Sequence, residues 1–286
     1  MSNIPIPSYV ILRELRKLHI RRFQDPIDES LRGWNWDRPP LKPRAYLGLS
    51  VFDVAPYCPT RRDTWLRRIA KVSTEPNEVL KTGLTVHELI HTTLKCLRKY
   101  VMSNTQPWTA YEDILDEVLK TTNASENING WTAQLIKYVI IQTIAEASWN
   151  SVGEGSTPWL PWVSEVRVDG SPLGLSKNLR VDALTGSNVV VDFKTGKPCE
   201  NHKLMITAYA TALEANLEVP IDYGIAVYIN GINDSLNIKF ESIYISSDLR
   251  KDFIDSRDDV IDMLIAEREP PKAQSCSTAC PFRNYC

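Results

Sequence analysis

The most constraining stretch of the chain is residues 180–194, RVDALTGSNVVVDFK, followed by Thr195 and Gly196. Leu179, Val181 and Ala183 alternate with polar residues, Val189, Val190 and Val191 form a β-branched run, and Thr-Gly-Ser-Asn between them is turn chemistry. Two short strands joined by a tight turn are predicted. Folding back brings Asp182 beside Asp192 and Lys194, which share one face because they are two apart. Two carboxylates and an ammonium then converge at a sheet edge. Such carboxylates repel one another unless a hard cation such as Mg²⁺ or Mn²⁺ neutralises them. Beside a lysine, that ion can deprotonate a water and stabilise charge on a phosphoryl oxygen, which is the chemistry of phosphodiester hydrolysis. The bland alternative is a hairpin with solvated charges, and a D-x9-D-x-K pattern alone does not separate the two.

With 286 residues, 43% hydrophobic and 24% charged, the chain can bury a large core as one elaborated domain or two small ones. No apolar run approaches the roughly 18 residues of a membrane span, and no basic segment precedes an apolar one at the start. A cytoplasmic protein without membrane association is expected. The net charge of −2 conceals an asymmetry: residues 1–73 carry +7 and the remainder −9. The basic end is a candidate polyanion surface, or else a solvated helix face.

Residues 8–23 read as an amphipathic basic helix with Ile11, Leu15, Leu18 and Phe23 as its apolar positions. Residues 24–47 read as irregular, with Trp34 and Trp36 used for packing more readily than for base stacking. Cys58 precedes Pro59, which predicts a helix starting there and presenting Arg61, Arg62, Arg67 and Arg68. Helices are predicted over 78–103, 109–121, 129–151, 200–216 and 248–268, and strands over 162–168, 221–230 and 236–246. Gly153, Gly155, Pro158 and Pro161 mark a break.

The helix over 78–103 contains His87-Glu88-Leu89-Ile90-His91, a match to the H-E-x-x-H pattern of zinc peptidases. Glu112 or Glu117 would complete such a site. That reading leaves the 182–194 cluster and the terminal cysteines unexplained. Cys276, Cys280 and Cys286 crowd the last eleven residues, and cysteines so spaced read as soft-metal ligands for zinc or an iron–sulfur cluster. Cys58 is the best fourth ligand, being followed by Pro and arginines; Cys96 and Cys199 read as incidental.

Several motifs occur in one order: Gly83-x-x-x-His87, R-V-D-A-L over 180–184, D-F-K-T-G over 192–196, Ala208-Tyr209-Ala210, and one N-terminal plus three C-terminal cysteines. Together they resemble the RecB-type nucleases of the PD-(D/E)xK superfamily that carry an iron–sulfur cluster. The Cys-Pro-x-Arg context looks most like the CRISPR-associated RecB-like exonucleases, in their longer archaeal form. The resemblance implies an α/β fold: a restriction-endonuclease-like mixed sheet flanked by helices, with an N-terminal helical extension and a C-terminal iron–sulfur segment. It divides the chain into a basic helical region (1–75), a helical region with His87 (76–160), a nuclease core (161–246), and a last helix with the cysteine tail (247–286).

Carried over by position, the resemblance implies that His87, Asp182, Asp192 and the Phe193 carbonyl bind Mg²⁺ or Mn²⁺, with Lys194 positioning or activating the attacking water. Tyr209 matches the Tyr of the family's Q-x-x-x-Y helix motif, and Glu165 falls where many members carry a further acidic residue. Cys58, Cys276, Cys280 and Cys286 would hold the cluster, of the 4Fe-4S type. Arg61, Arg62 and Arg180 are the expected DNA contacts. The implied activity is a metal-dependent DNA exonuclease acting on single-stranded ends, preparing fragments for CRISPR spacer insertion with the spacer integrase. Two departures stand out: the family's Gln is Met205 here, and the tail spacing is C-x3-C where C-x2-C is commoner. Competing readings are a non-catalytic iron–sulfur subunit binding DNA ends, a RecB-like repair nuclease, and the zinc peptidase.

Overall fold

The computed structural model describes residues 8–102, 111–122, 130–150, 162–276 and 280–285. Cys286 and the predicted break at 153–161 lie outside them. Among the described residues the helices are α1 (Ser8–Gln24), α2 (Val51–Val54), α3 (Arg62–Arg68), α4 (Glu78–Met102), α5 (Tyr111–Thr121), α6 (Gly130–Asn150), α7 (Glu200–Leu217) and α8 (Ser247–Ile265). The strands are β1 (Trp162–Val168), β2 (Leu179–Thr185), β3 (Val189–Lys194), β4 (Tyr223–Ile232) and β5 (Ser235–Tyr244). They form one mixed sheet in the order β1-β2-β3-β4-β5. Only β3 and β4 run parallel, joined through α7, and the remaining neighbours are antiparallel.

The β-branched run of β3 is buried on both faces, as a central strand requires. Val190 packs with α7 and α8, whereas Val189, Val191 and Phe193 pack with α4, α5 and α6. The sheet is thus a partition between two apolar layers, the α/β arrangement anticipated from the sequence. Helix α7 is buried nearly all round by small residues, among them Ala208, Ala210 and Ala212. The Thr207 and Thr211 hydroxyls are satisfied by bonding back to the Lys203 and Thr207 carbonyls.

The N-terminal extension is fastened to this core by charge. Arg250, fully buried, makes a two-pronged contact with Glu214 at 2.7 and 2.9 Å, and Arg32 reaches both Glu214 at 2.8 Å and Asp222 at 2.5 Å. The Gly33 and Ile221 amides also donate to Glu214. Every charge in this dry cluster has a partner, which is the condition for burying it at all.

One local prediction needs correcting. The helix after Cys58 begins at Arg62, not at Pro59. The Arg61 amide bonds to the Cys58 carbonyl at 3.0 Å and Arg61 takes a left-handed φ of 61°, so Pro59 occupies a tight turn ahead of the helix. Cys58 therefore lies in that turn, buried, and not at the positive end of a helix.

Candidate active site and cysteine cluster

The hairpin does not run as a regular ladder. Ala183 and Leu184 of β2 pair with Val191 and Val190, and there the paired register stops. At the next position the Asp182 side chain takes the Phe193 amide, Oδ2 to N, at 2.7 Å. Opposite, on β1, Glu165 drops out of the register between Ser164 and Val166 and adopts a left-handed φ of 54°. A non-glycine residue pays strain for that conformation. The result is a twist in the ribbon: Ala183 faces the α4–α6 layer while Val181 faces the α7–α8 layer. The same twist turns two carboxylates toward one point.

His87, on α4, completes the group. Its Nδ1 lies 3.3 Å from Asp182 Oδ1, and one ligand atom each from His87, Glu165 and Asp182 lie within 4.8 Å of one another. Asp192 adjoins them and is held by Lys194 Nζ at 2.7 Å. Its other oxygen, Oδ2, is buried with no hydrogen-bond partner. A buried carboxylate oxygen left bare in a nest of carboxylates and an imidazole is what a hard divalent cation would satisfy, so the residues present fit one.

The electrostatics agree with that geometry. Burial pushes Asp192 up to about 7, and Asp182 beside it adds to the rise against the pull of Lys194. Burial acts the same way on Asp182, but His87, Lys194 and the Phe193 amide outweigh it and hold its carboxyl below the usual range. His87 is pulled down by burial, yet the Asp182 carboxylate prevails and leaves the imidazole raised. Burial likewise opposes the charge on Lys194, but Asp192 and Asp182 keep it an ammonium. Tyr209 is pushed well above its ordinary value by burial, with the Asp192, Asp182 and Glu165 charges adding to the rise.

A second set of contacts supports the centre from behind. Tyr228 Oη donates to Glu241 at 3.0 Å, so the 3.1 Å contact from His202 Nδ1 must be donated by the imidazole. His202 Nε2 is then the acceptor for the Tyr57 hydroxyl, also at 3.1 Å. The charges of Lys194 and Asp192 both act on the Tyr57 phenol. Sequence reasoning missed Tyr57, His202 and Tyr228; the one available signal was that Tyr57 precedes Cys58.

Other expected residues fall as follows. Cys58 is buried and Cys276 and Cys280 are half-buried; burial raises the Cys280 thiol, and the Cys276, Asp63 and Cys58 charges add to the rise. Among the described residues these thiols do not form a group of ligand atoms within 4.8 Å of one another. Cys96 is buried in the core and Cys199 is exposed, in keeping with incidental roles. Arg180 lies on the site's rim, 3.7 Å from Glu165. Arg61 and Arg62 do not form the exposed basic surface expected of them. Arg62 is buried against Glu269 and the Pro270 carbonyl, and Arg61 bonds Ser256, because α3 packs on the acidic α8 and the segment after it. Met205 is buried in the core and packs there. His91 bonds Ser164 at 3.0 Å and is absent from the converging ligand group, which leaves the peptidase pattern without its second histidine.

A mixed sheet that brings this hairpin, its lysine and His87 of α4 together has the parts of a phosphodiester-cleaving enzyme. The family model described as CRISPR-associated exonuclease Csa1 matches residues 6–286. A protein of that description from Thermoproteus tenax is 30% identical over 284 residues, spanning 96% of this chain and 97% of its own. Another from Saccharolobus solfataricus is 28% identical, covering 93% and 94% respectively. A crystal structure assigned as an exonuclease from Eubacterium rectale aligns over 82% of this chain and 87% of its own at 11% identity, with a TM-score of 0.43. This chain belongs to the CRISPR-associated exonuclease Csa1 family.

Proposed function

We propose that the protein is a divalent-metal-dependent exonuclease acting on single-stranded DNA ends, and that its products are fragments made ready for insertion as CRISPR spacers by the integrase. The observation that carries the metal dependence is the bare Asp192 Oδ2 beside the converging His87, Glu165 and Asp182. Mg²⁺ or Mn²⁺ held by these four residues, with the Phe193 carbonyl as a further ligand, would supply a low-pKa water and positive charge at the phosphoryl oxygens. Lys194 remains an ammonium, so it orients the nucleophile and stabilises developing negative charge; it does not take up a proton. Tyr209, whose phenol feels the charges of Asp192, Asp182 and Glu165, orients the strand or the lysine. Cys58, Cys276 and Cys280, with Cys286 as fourth ligand, hold a 4Fe-4S cluster that fastens the N-terminal segment to the tail. The fit of a hard-cation centre favours this reading over a DNA-end-binding subunit without turnover.

The test is cleavage of end-labelled single strands with and without Mn²⁺. Loss of at least a hundredfold is expected in Asp192→Ala and Lys194→Ala, in the range of removing a directly acting group, roughly 10² to 10³. Undiminished activity in either variant overturns the mechanism.

A further inference from the structure

We propose that Arg167 and Arg180 form a phosphate-binding subsite that grips the backbone linkage next to the one being hydrolysed. This rests on the nuclease reading above and specifies how its substrate is held. The two residues are Cα partners in the β1–β2 register and both are exposed. Like charges directly opposite one another weaken a sheet. Nothing nearby relieves the pair fully: Arg180 is 3.7 Å from Glu165, and Arg167 makes no ion pair among the described residues.

Both line one open cleft of about 320 Å³ with His87, Glu88, His91 and Glu165. At roughly 30 Å³ per water that is room for about ten waters, enough for a sugar and its phosphate. The cleft has two poles. His87, Glu165 and Asp182 form the cation-seeking one. Arg167 lies two residues past Glu165 and Arg180 two before Asp182, so the Cα atoms of the arginine pair stand about 6.6 Å further along the ribbon, and the Arg180 guanidinium reaches back to 3.7 Å from Glu165. That step suits one extended nucleotide, and paired guanidinium forks suit a phosphate's oxygens. A strand whose scissile phosphate meets the acidic pole therefore lays its neighbouring phosphate between the arginines.

The experiment uses the intact protein with Mn²⁺ and end-labelled single strands, all-phosphate or with one neutral methylphosphonate at the linkage flanking the scissile one. In wild type the neutral linkage is expected to lower kcat/KM roughly 10- to 100-fold, as loss of charge-assisted hydrogen bonds does. R167A/R180A should lose the same factor on the all-phosphate strand and nothing more on the neutral one. If the double variant keeps the wild-type rate, or still loses the full factor at the neutral linkage, the subsite is wrong. If wild type leaves every strand intact, it is the nuclease reading that fails. Equilibrium binding of the same strands then decides the subsite: a flanking-linkage penalty present in wild type and absent from the double variant supports it, and equal penalties reject it.

Discussion

The Tyr57 hydroxyl donates to His202 Nε2 at 3.1 Å, joining the residue before Cys58 to the first turn of α7. Through Tyr228 and Glu241 the same imidazole is locked in one tautomer, neutral and protonated on Nδ1. The segment that bears Cys58 is thereby set against the lysine and carboxylates of the hairpin.

His202 makes stability depend on pH. Burial, then the Lys194 charge, pushes its pKa from 6.5 down to about 4. In that interval the unfolded chain binds a proton that the folded one refuses, so stability rises with pH. The contribution is complete above about 6.5 and is lost as pH falls through about 4, a change of about 3 kcal/mol at most. Urea denaturation should show wild type losing more stability than His202→Gln between pH 6.5 and 4; parallel losses would refute the assignment.

Glu214 is the hub of the charge cluster that fastens residues 31–33 and α8 to α7. Glu214→Ala strands two buried guanidiniums and is expected to cost about 3–5 kcal/mol. A change in unfolding free energy below about 1 kcal/mol would show that water reaches the arginines.

Gly33 is required by proximity. A Cβ there would lie 2.1 Å from the Thr211 carbonyl oxygen and 2.6 Å from Glu214 Cβ. Gly33→Ala must push the N-terminal segment off α7, at about 1–3 kcal/mol, the usual cost of overpacking. Thermal unfolding measures it, and an unchanged midpoint would mean that the segment gives way freely.

For the cysteines, Cys58→Ala is expected to lose iron and sulfide together with visible absorption after anaerobic purification, since soft-metal sites need all their thiolates. A colourless wild-type protein holding zinc would replace the cluster with a zinc site.

The sheet and the hairpin chemistry were legible because they are local: alternation, a β-branched run and turn residues predicted β2 and β3, and parity put Asp192 and Lys194 on one face. His87 entered through motif order. What could not be read locally was the twist at Glu165 and Asp182, since nothing in the sequence around Glu165 announces a left-handed backbone. It gives the converging group Glu165 as a full member, while Asp192 stands slightly apart, paired with Lys194. Arg61 and Arg62 looked like surface charge because their partners lie some two hundred residues away in α8 and the segment after it. The Tyr57–His202–Tyr228 contacts were invisible for the same reason.

The charge cluster around Glu214 also imposes an order on biosynthesis. Arg250 stands thirty-six residues downstream of Glu214, and a ribosome adds about 5–20 residues per second. For a few seconds, the emerging chain holds the complete hairpin, His87 and Arg32 but lacks Arg250, the second of the two guanidiniums that pair with Glu214 in the core. A chain halted before α8 is therefore expected to remain protease-sensitive and inactive, so that a growing polypeptide carries no working blade until α8 is free to close.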